Sequence, residues 1–169
     1  RIVEHPGIDA ISFTGSVATG NTIAVQCAST GKRVQMEMGG KNPAIVMDDA
    51  ENLDRVAQHI VTGAFWNMGQ NCSATSRLFV HKQIKADLLQ RISHHAEQWN
   101  IGDPLDPETR LGALVSRAHF DKVCGYLDKA DSIIFGGNAK NGYVDATLIE
   151  LPDNDHLLAR EEIFGPVLS

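Results

Sequence analysis

The sequence predicts an α/β fold with a mostly parallel sheet flanked by helices. Three observations predict it. Short apolar runs alternate with longer stretches of helical spacing. Gly, Asn, Asp and Pro punctuate most of the junctions between them. The chain is 43% hydrophobic and 21% charged over 169 residues, enough apolar content for a packed core and too little charge for disorder. That length suits one ordinary domain or two small interleaved lobes.

Ile8–Phe13 reads as a short buried strand. Thr14-Gly15-Ser16 turns it into a helix from about Val17 to Thr30, with Ser16 placed to cap the start and Gly31 to end it. A strand, Gly-Ser and a helix in succession can present free backbone N–H groups to an anion, although a plain capped helix has the same pattern. Val34–Met38 is extended and stops at Gly39-Gly40. Asn42–Met47 is the next strand. Asp48-Asp49-Ala50-Glu51-Asn52 forms an acidic entry to a helix carrying Leu53, Val56, Ala57, Ile60, Val61 and Ala64 on one face. Gly69–Thr75 breaks the pattern. Arg77–His81 reads as a strand and Ile84–Trp99 as a long amphipathic helix, followed by a loop of turn residues at 101–107. A helix runs from Ser116 or Arg117 to about Lys129. Ser132–Phe135 is a short strand, 143–151 is mostly extended, and Glu161–Pro166 is a second punctuated stretch.

The totals exclude several classes. A net charge of −6 with scattered Lys and Arg gives no basic face for nucleic acid. No apolar run is long enough for a membrane helix. Three cysteines without a CxxC fit a reducing compartment, so a cytoplasmic protein is expected. The N-terminus lacks both an initiator Met and a signal-peptide layout, and Val167-Leu168-Ser169 reads as the start of a strand. The chain is therefore expected to be truncated at both ends. No metal site is expected. The acidic run at 48–52 has no companion His, and His94 and His95, adjacent on a helix, point to different faces. Cys27 and Cys124 fall on apolar helix faces and read as packing residues.

Two residues could do chemistry. Cys72 lies in Met68-Gly69-Gln70-Asn71-Cys72-Ser73-Ala74, among small and polar neighbours that leave room for a substrate. Backbone N–H groups around such a turn lower a thiol pKa and hold an oxyanion; a buried cysteine at a loop junction is the plainer alternative. Glu37, in Met36-Glu37-Met38-Gly39-Gly40-Lys41, is either a general base or the exposed side of a half-buried strand shared with Gln35. Gly39-Gly40-Lys41 is not a phosphate loop, because Gln35 and Asn42 stand where that motif needs Gly and Ser or Thr. No GxGxxG occurs.

Taken together, Phe13-Thr14-Gly15-Ser16, Glu37–Lys41, Gly69–Ala74 and Glu162-Ile163-Phe164-Gly165-Pro166 resemble the NAD(P)-dependent aldehyde dehydrogenase superfamily over essentially the whole chain. Met38 stands where leucine is commoner, and Lys129–Ile134 is shorter than in many members. The resemblance implies an aldehyde dehydrogenase-like fold. It implies a remnant of a cofactor-binding domain at 1–36, a catalytic domain at 37–160 and a return toward the cofactor domain at 161–169. It implies Cys72 as nucleophile and Glu37 as the base that activates hydrolytic water. Gly15, Ser16, Gly39, Glu162 and Phe164 are then cofactor contacts, with His119 and Lys122 as weaker matches near the nicotinamide ribose. NAD or NADP is the implied cofactor, a small-molecule aldehyde the substrate, and a homo-oligomer the full-length assembly. The isolated piece is expected to turn over little or not at all. Two rival readings remain at this stage: a cysteine-dependent acyltransferase or hydrolase, whose histidine would come from His59, His81, His94 or His95, and a non-catalytic nucleotide-binding or assembly fragment.

Overall fold

The computed structural model describes all 169 residues, Arg1–Ser169, and they divide into two units, Arg1–Gly40 and Lys41–Ser169. The first unit is β1 (Ala10–Gly15), α1 (Val17–Ala28) and β2 (Arg33–Met38). The two strands run parallel, in register from Ala10 opposite Arg33 to Gly15 opposite Met38, so α1 is the crossover that a parallel pair requires. Ser16 caps α1, its Oγ accepting the Thr19 N–H at 3.3 Å. Gly31 makes the left-handed turn into β2 at φ 69°. A Cβ on Gly20 would stand 2.5 Å from Met38 Sδ, so the helix lies close over β2 because position 20 has no side chain. The strand begins two residues later than the apolar run suggests. The Ile8 carbonyl is taken by the Lys32 ammonium at 2.7 Å, which leaves Ile8 outside the ladder.

The second unit opens with β3 (Asn42–Val46), which pairs in parallel with β4 (Thr75–Val80). Between them run α2 (Leu53–Phe65) and a 3-10 turn over Trp66–Gly69. Asn52 caps α2 by accepting the Arg55 N–H. Then follow α3 (Lys85–Ala96), α4 (Arg117–Leu127), β5 (Ile133–Phe135), β6 (Ala139–Lys140), β7 (Tyr143–Val144), β8 (Thr147–Ile149), α5 (Leu157–Arg160) and β9 (Val167–Leu168). β8 is antiparallel to β5 and parallel to β9. Ser169, just past β9, donates to Ser76 O and accepts from Leu78 N, joining that edge to β4. Parallel pairs thus outnumber antiparallel ones.

Two apolar cores form in this unit. One gathers α2 and α3 against the strands through Val61, Phe65, Leu88, Ile92 and Leu148. The other packs α4 against Val144, Leu158, Ile163 and Val167. Met68 packs against both. Of the histidine pair on α3, His94 is exposed, while His95 is largely covered and sits 3.0 Å from Asp54. α3 ends at Ala96 instead of Trp99. The chain tightens there into i→i−3 bonds at Gln98 and Trp99, which brings the Trp99 ring edge-on to Phe65 at 6.0 Å. No helix is long and apolar enough to cross a membrane.

Candidate active site

Cys72 is exposed, in the loop that follows the 3-10 turn. The approach to it is left-handed over three successive residues: Asn67 (φ 52°), Met68 (φ 55°) and Gly69 (φ 65°). For the two non-glycine residues this costs about 1–2 kcal/mol each. Asn67 offsets part of it by donating its side-chain N–H to Gln70 O at 3.0 Å, and Met68 by packing its half-buried side chain against both cores. Gly69 is nested on the Gly165 turn, where a Cβ would stand 2.1 Å from Gly165 O.

Polar side chains then fix the loop from both flanks. Asn71 Oδ1 accepts from Ser73 N and Ser73 Oγ, each at 3.1 Å, forming an Asx turn around Cys72. Asn42 donates its side-chain N–H to the carbonyls of Cys72 at 2.6 Å and Ala74 at 3.1 Å. Gln70 Oε1 accepts the Val115 N–H at 2.9 Å. The Cys72 thiol itself meets only a weak contact with Asn71 Oδ1 at 3.9 Å among its hydrogen-bond partners. An exposed thiol on a backbone held by this many bonds is an accessible group at a fixed place.

Glu162 and Phe164 lie on the turn that Gly69 touches. Both are half-buried, and Phe164 is left-handed at φ 60°. The structure therefore brings the Cys72 loop and the Glu162–Phe164 turn together through Gly69 and Gly165. Glu37, Gly39, Gly15 and Ser16 belong to the first unit. Glu37 pairs opposite Thr14 in the β1–β2 ladder and shares the exposed side of β2 with Gln35, while Met36 and Met38 are half-buried. Its carboxylate is accessible, as alternation along the strand predicts. Gly15 closes β1 and Ser16 opens α1, whose first turn is exposed and carries no acidic side chain. No group of three or more His, Cys, Asp or Glu is arranged to hold a metal ion.

The sequence marks Lys41 only as the end of the Gly39-Gly40-Lys41 stretch. Its Nζ is buried without a hydrogen-bond partner. Burial, helped by the nearby Arg77 guanidinium and opposed by Glu162, pulls its pKa down to about 8. A lysine that binds its proton less tightly in the folded state penalises folding at neutral pH. Between pH 8 and the ordinary lysine value the unfolded chain holds more protons, so stability rises with pH across that window. Lys41→Met is expected to stabilise the chain at pH 7 by at most about 3 kcal/mol and to remove this rise. Denaturant unfolding at pH 7, 8.5 and 10 checks it. The difference between variant and parent isolates Lys41, because the upward-shifted Cys124 and Tyr126 act in the opposite sense in both. Equal stability at pH 7 would count against the buried charge.

Sequence reasoning also missed Asn42, the clamp on the Cys72 carbonyl, and the left-handed Met68. Asn71 carried a signal, since Asn followed two residues later by Ser favours an Asx turn. Asn42 and Met68 carried none, because their roles depend on partners distant in the chain.

The aldehyde dehydrogenase family model matches residues 1–169. The chain is 53% identical to the aminoacetaldehyde dehydrogenase of Pseudomonas aeruginosa over 171 residues, covering 98% of this chain and 34% of that protein. It is 42% identical to a betaine aldehyde dehydrogenase of Rhizobium etli, covering 99% of this chain and 36% of that protein. Among solved structures it superposes on the gamma-glutamyl-gamma-aminobutyraldehyde dehydrogenase of Burkholderia cenocepacia with a TM-score of 0.95 at 39% identity, covering 99% of this chain and 36% of that one. It also matches a betaine aldehyde dehydrogenase of Staphylococcus aureus in complex with NAD+ with a TM-score of 0.93 at 30% identity, covering 98% and 35%. The chain thus spans about a third of the length of the relatives it matches. With the family model matched from end to end and the α/β architecture shared with these structures, the chain belongs to the aldehyde dehydrogenase family.

Proposed function

We propose that the full polypeptide carrying this chain oxidises an aldehyde to a carboxylic acid, with NAD+ as oxidant and Cys72 as the covalent nucleophile. The observation that carries this reading is the exposed Cys72 thiol on a loop immobilised by Asn42, Asn71 and Gly69. The Cys72 thiolate attacks the aldehyde carbon, an S–C bond forms, and the carbonyl oxygen becomes an oxyanion. NAD+, when bound, supplies the two-electron acceptor that turns this thiohemiacetal into a thioester. Glu37 then takes a proton from water, the hydroxide adds to the thioester carbon, and the acid leaves with the thiol restored on Cys72.

The residues present fit that cofactor. The exposed, acid-free start of α1 at Gly15 and Ser16 suits a pyrophosphate, as helix N-termini do. Gly39 allows close approach of a ring, and Glu162 and Phe164 offer a carboxylate and an aromatic face for the nicotinamide half. The domain reading follows the same assignment, with 1–36 and 161–169 serving the cofactor and 37–160 the chemistry. The names of the relatives point to an aldehyde bearing an amino or quaternary ammonium group. Trp66, 60% exposed at the head of the turn leading to Cys72, offers a cationic group an aromatic face. A reducing cytoplasm suits an exposed thiol of this kind, and assembly as a homo-oligomer belongs to the same reading.

The test uses Glu37→Gln in the full polypeptide with NAD+ and an aminoaldehyde. Turnover is expected to stall after the redox step. The peptide containing Cys72 should then gain the mass of the aldehyde less two hydrogens, read by mass spectrometry. Acylation at any other residue, or steady turnover with Cys72 unmodified, would overturn the proposal.

A further inference from the structure

Phe164 is a bulky residue held in a backbone conformation that L side chains rarely adopt, at φ 60°. Such strain persists only where the surroundings over-determine it. One face of α4 does so here. His119 Nε2 lies 2.7 Å from Phe164 O, and the two rings meet edge-on at 5.9 Å. One turn on, Lys122 Nζ donates to Glu162 O at 3.2 Å. Val123 packs on Gly165, where a Cβ would stand 3.0 Å from both of its methyl carbons. A turn further, the Tyr126 hydroxyl donates to Glu161 Oε2 at 2.6 Å. Positions 119, 122, 123 and 126 fall on one side of a helix, and each holds a different residue of the 161–165 turn.

We propose that His119 is a positioning residue: its Nε2–H, donated to the Phe164 carbonyl, locks Phe164 in its left-handed conformation and so sets the ring presented to the nicotinamide. The carbonyl can only accept, so the neutral imidazole carries its proton on Nε2. Of the four α4 contacts, only this one reaches the strained residue's own carbonyl. The role of the ring toward the cofactor rests on the dehydrogenase reading above; the lock on Phe164 does not.

Two variants and two readouts test it. In the full polypeptide labelled with 13C-phenylalanine, the Cα and carbonyl shifts of Phe164 report its backbone conformation. His119→Leu is expected to move them away from left-handed values, while His119→Gln, which keeps an N–H donor, holds them. In the full polypeptide, His119→Leu is expected to raise KM for NAD+ about tenfold, with KM for the aldehyde unchanged and His119→Gln restoring most of the loss. If Phe164 stays left-handed in His119→Leu, the lock is wrong whatever the kinetics. If the shifts move but cofactor KM does not, the link from Phe164 to the nicotinamide is wrong. Absence of any NAD+-dependent turnover in the parent would instead sink the dehydrogenase reading, and the shifts would still decide the lock.

Discussion

Gly69→Ala is expected to destabilise the second unit by roughly 3–5 kcal/mol. Two costs add. The residue sits at φ 65°, where an L side chain is strained. The new Cβ would also stand 2.1 Å from Gly165 O, 2.5 Å from Gly165 C and 3.0 Å from Pro166 N. All three are backbone atoms, so no side-chain rotation relieves the overlap. Either the Cys72 loop or the Gly165 turn must move, and with it the contact that brings the Cys72 loop and the Glu162–Phe164 turn together. Gly31→Ala separates the two costs. Gly31 has the same handedness, φ 69°, but nothing within 4 Å of its Cβ position, so its replacement should cost only about 1–2 kcal/mol. Urea unfolding of both variants checks the difference, and equal midpoints would mean that the loop and turn are not held in contact in solution.

Cys72→Ser is expected to lower kcat/KM for aldehyde oxidation in the full polypeptide by about 10⁴-fold or more. A serine hydroxyl is a far weaker nucleophile than a thiol unless a base stands beside it. The side chain of Cys72 meets no histidine among its hydrogen-bond partners; its one polar contact is the amide oxygen of Asn71. The loop itself is built by Asn42, Asn67, Asn71 and Gln70, so the substitution leaves its scaffold intact. NAD+ affinity should therefore persist in the variant. Isothermal titration with NAD+ beside steady-state rates separates the two effects. Retention of more than a few per cent of the parent rate would show that the covalent route does not run through Cys72.

Much of the architecture was legible because its causes are local. Ser16 caps α1 where its side-chain oxygen predicts, α4 begins at Arg117 behind Ser116, and Gly31 turns left-handed where the helix must stop. The apolar faces of α2 and α3 are buried as their spacing requires. Cys27 is fully buried and Cys124 partly so. What escaped notice has two kinds of cause. β6 and β7 are two residues each, too short for any periodicity. The Asn141-Gly142 pair between them, left-handed at φ 54° and 92°, is a hairpin signal that the sequence did contain. α5 is a single turn capped by His156, with no amphipathic pattern to betray it. The second kind is non-local. Asn42 clamps a loop thirty residues away, and His119 reaches a carbonyl forty-five residues away. No property of either residue's neighbours in sequence encodes those partners. The site motifs around Cys72 and Glu162 were legible as patterns, but the contact of Gly69 with Gly165 that joins them was not.

The three cysteines differ in a way that bears on oxidative damage. Cys72 is open to solvent, Cys27 is fully buried in the first unit, and Cys124 is half-covered with a thiol that burial holds toward the protonated form. Peroxide reaching this chain should therefore find Cys72 first and convert it to the sulfenic acid. Rescue of a sulfenic acid needs a thiolate that can condense with it, and neither of the other two thiols is disposed to supply one. Recovery then depends on thiols from outside this stretch of chain. Where those run out, the exposure of Cys72 commits it to the sulfinic acid, from which simple thiols cannot bring it back.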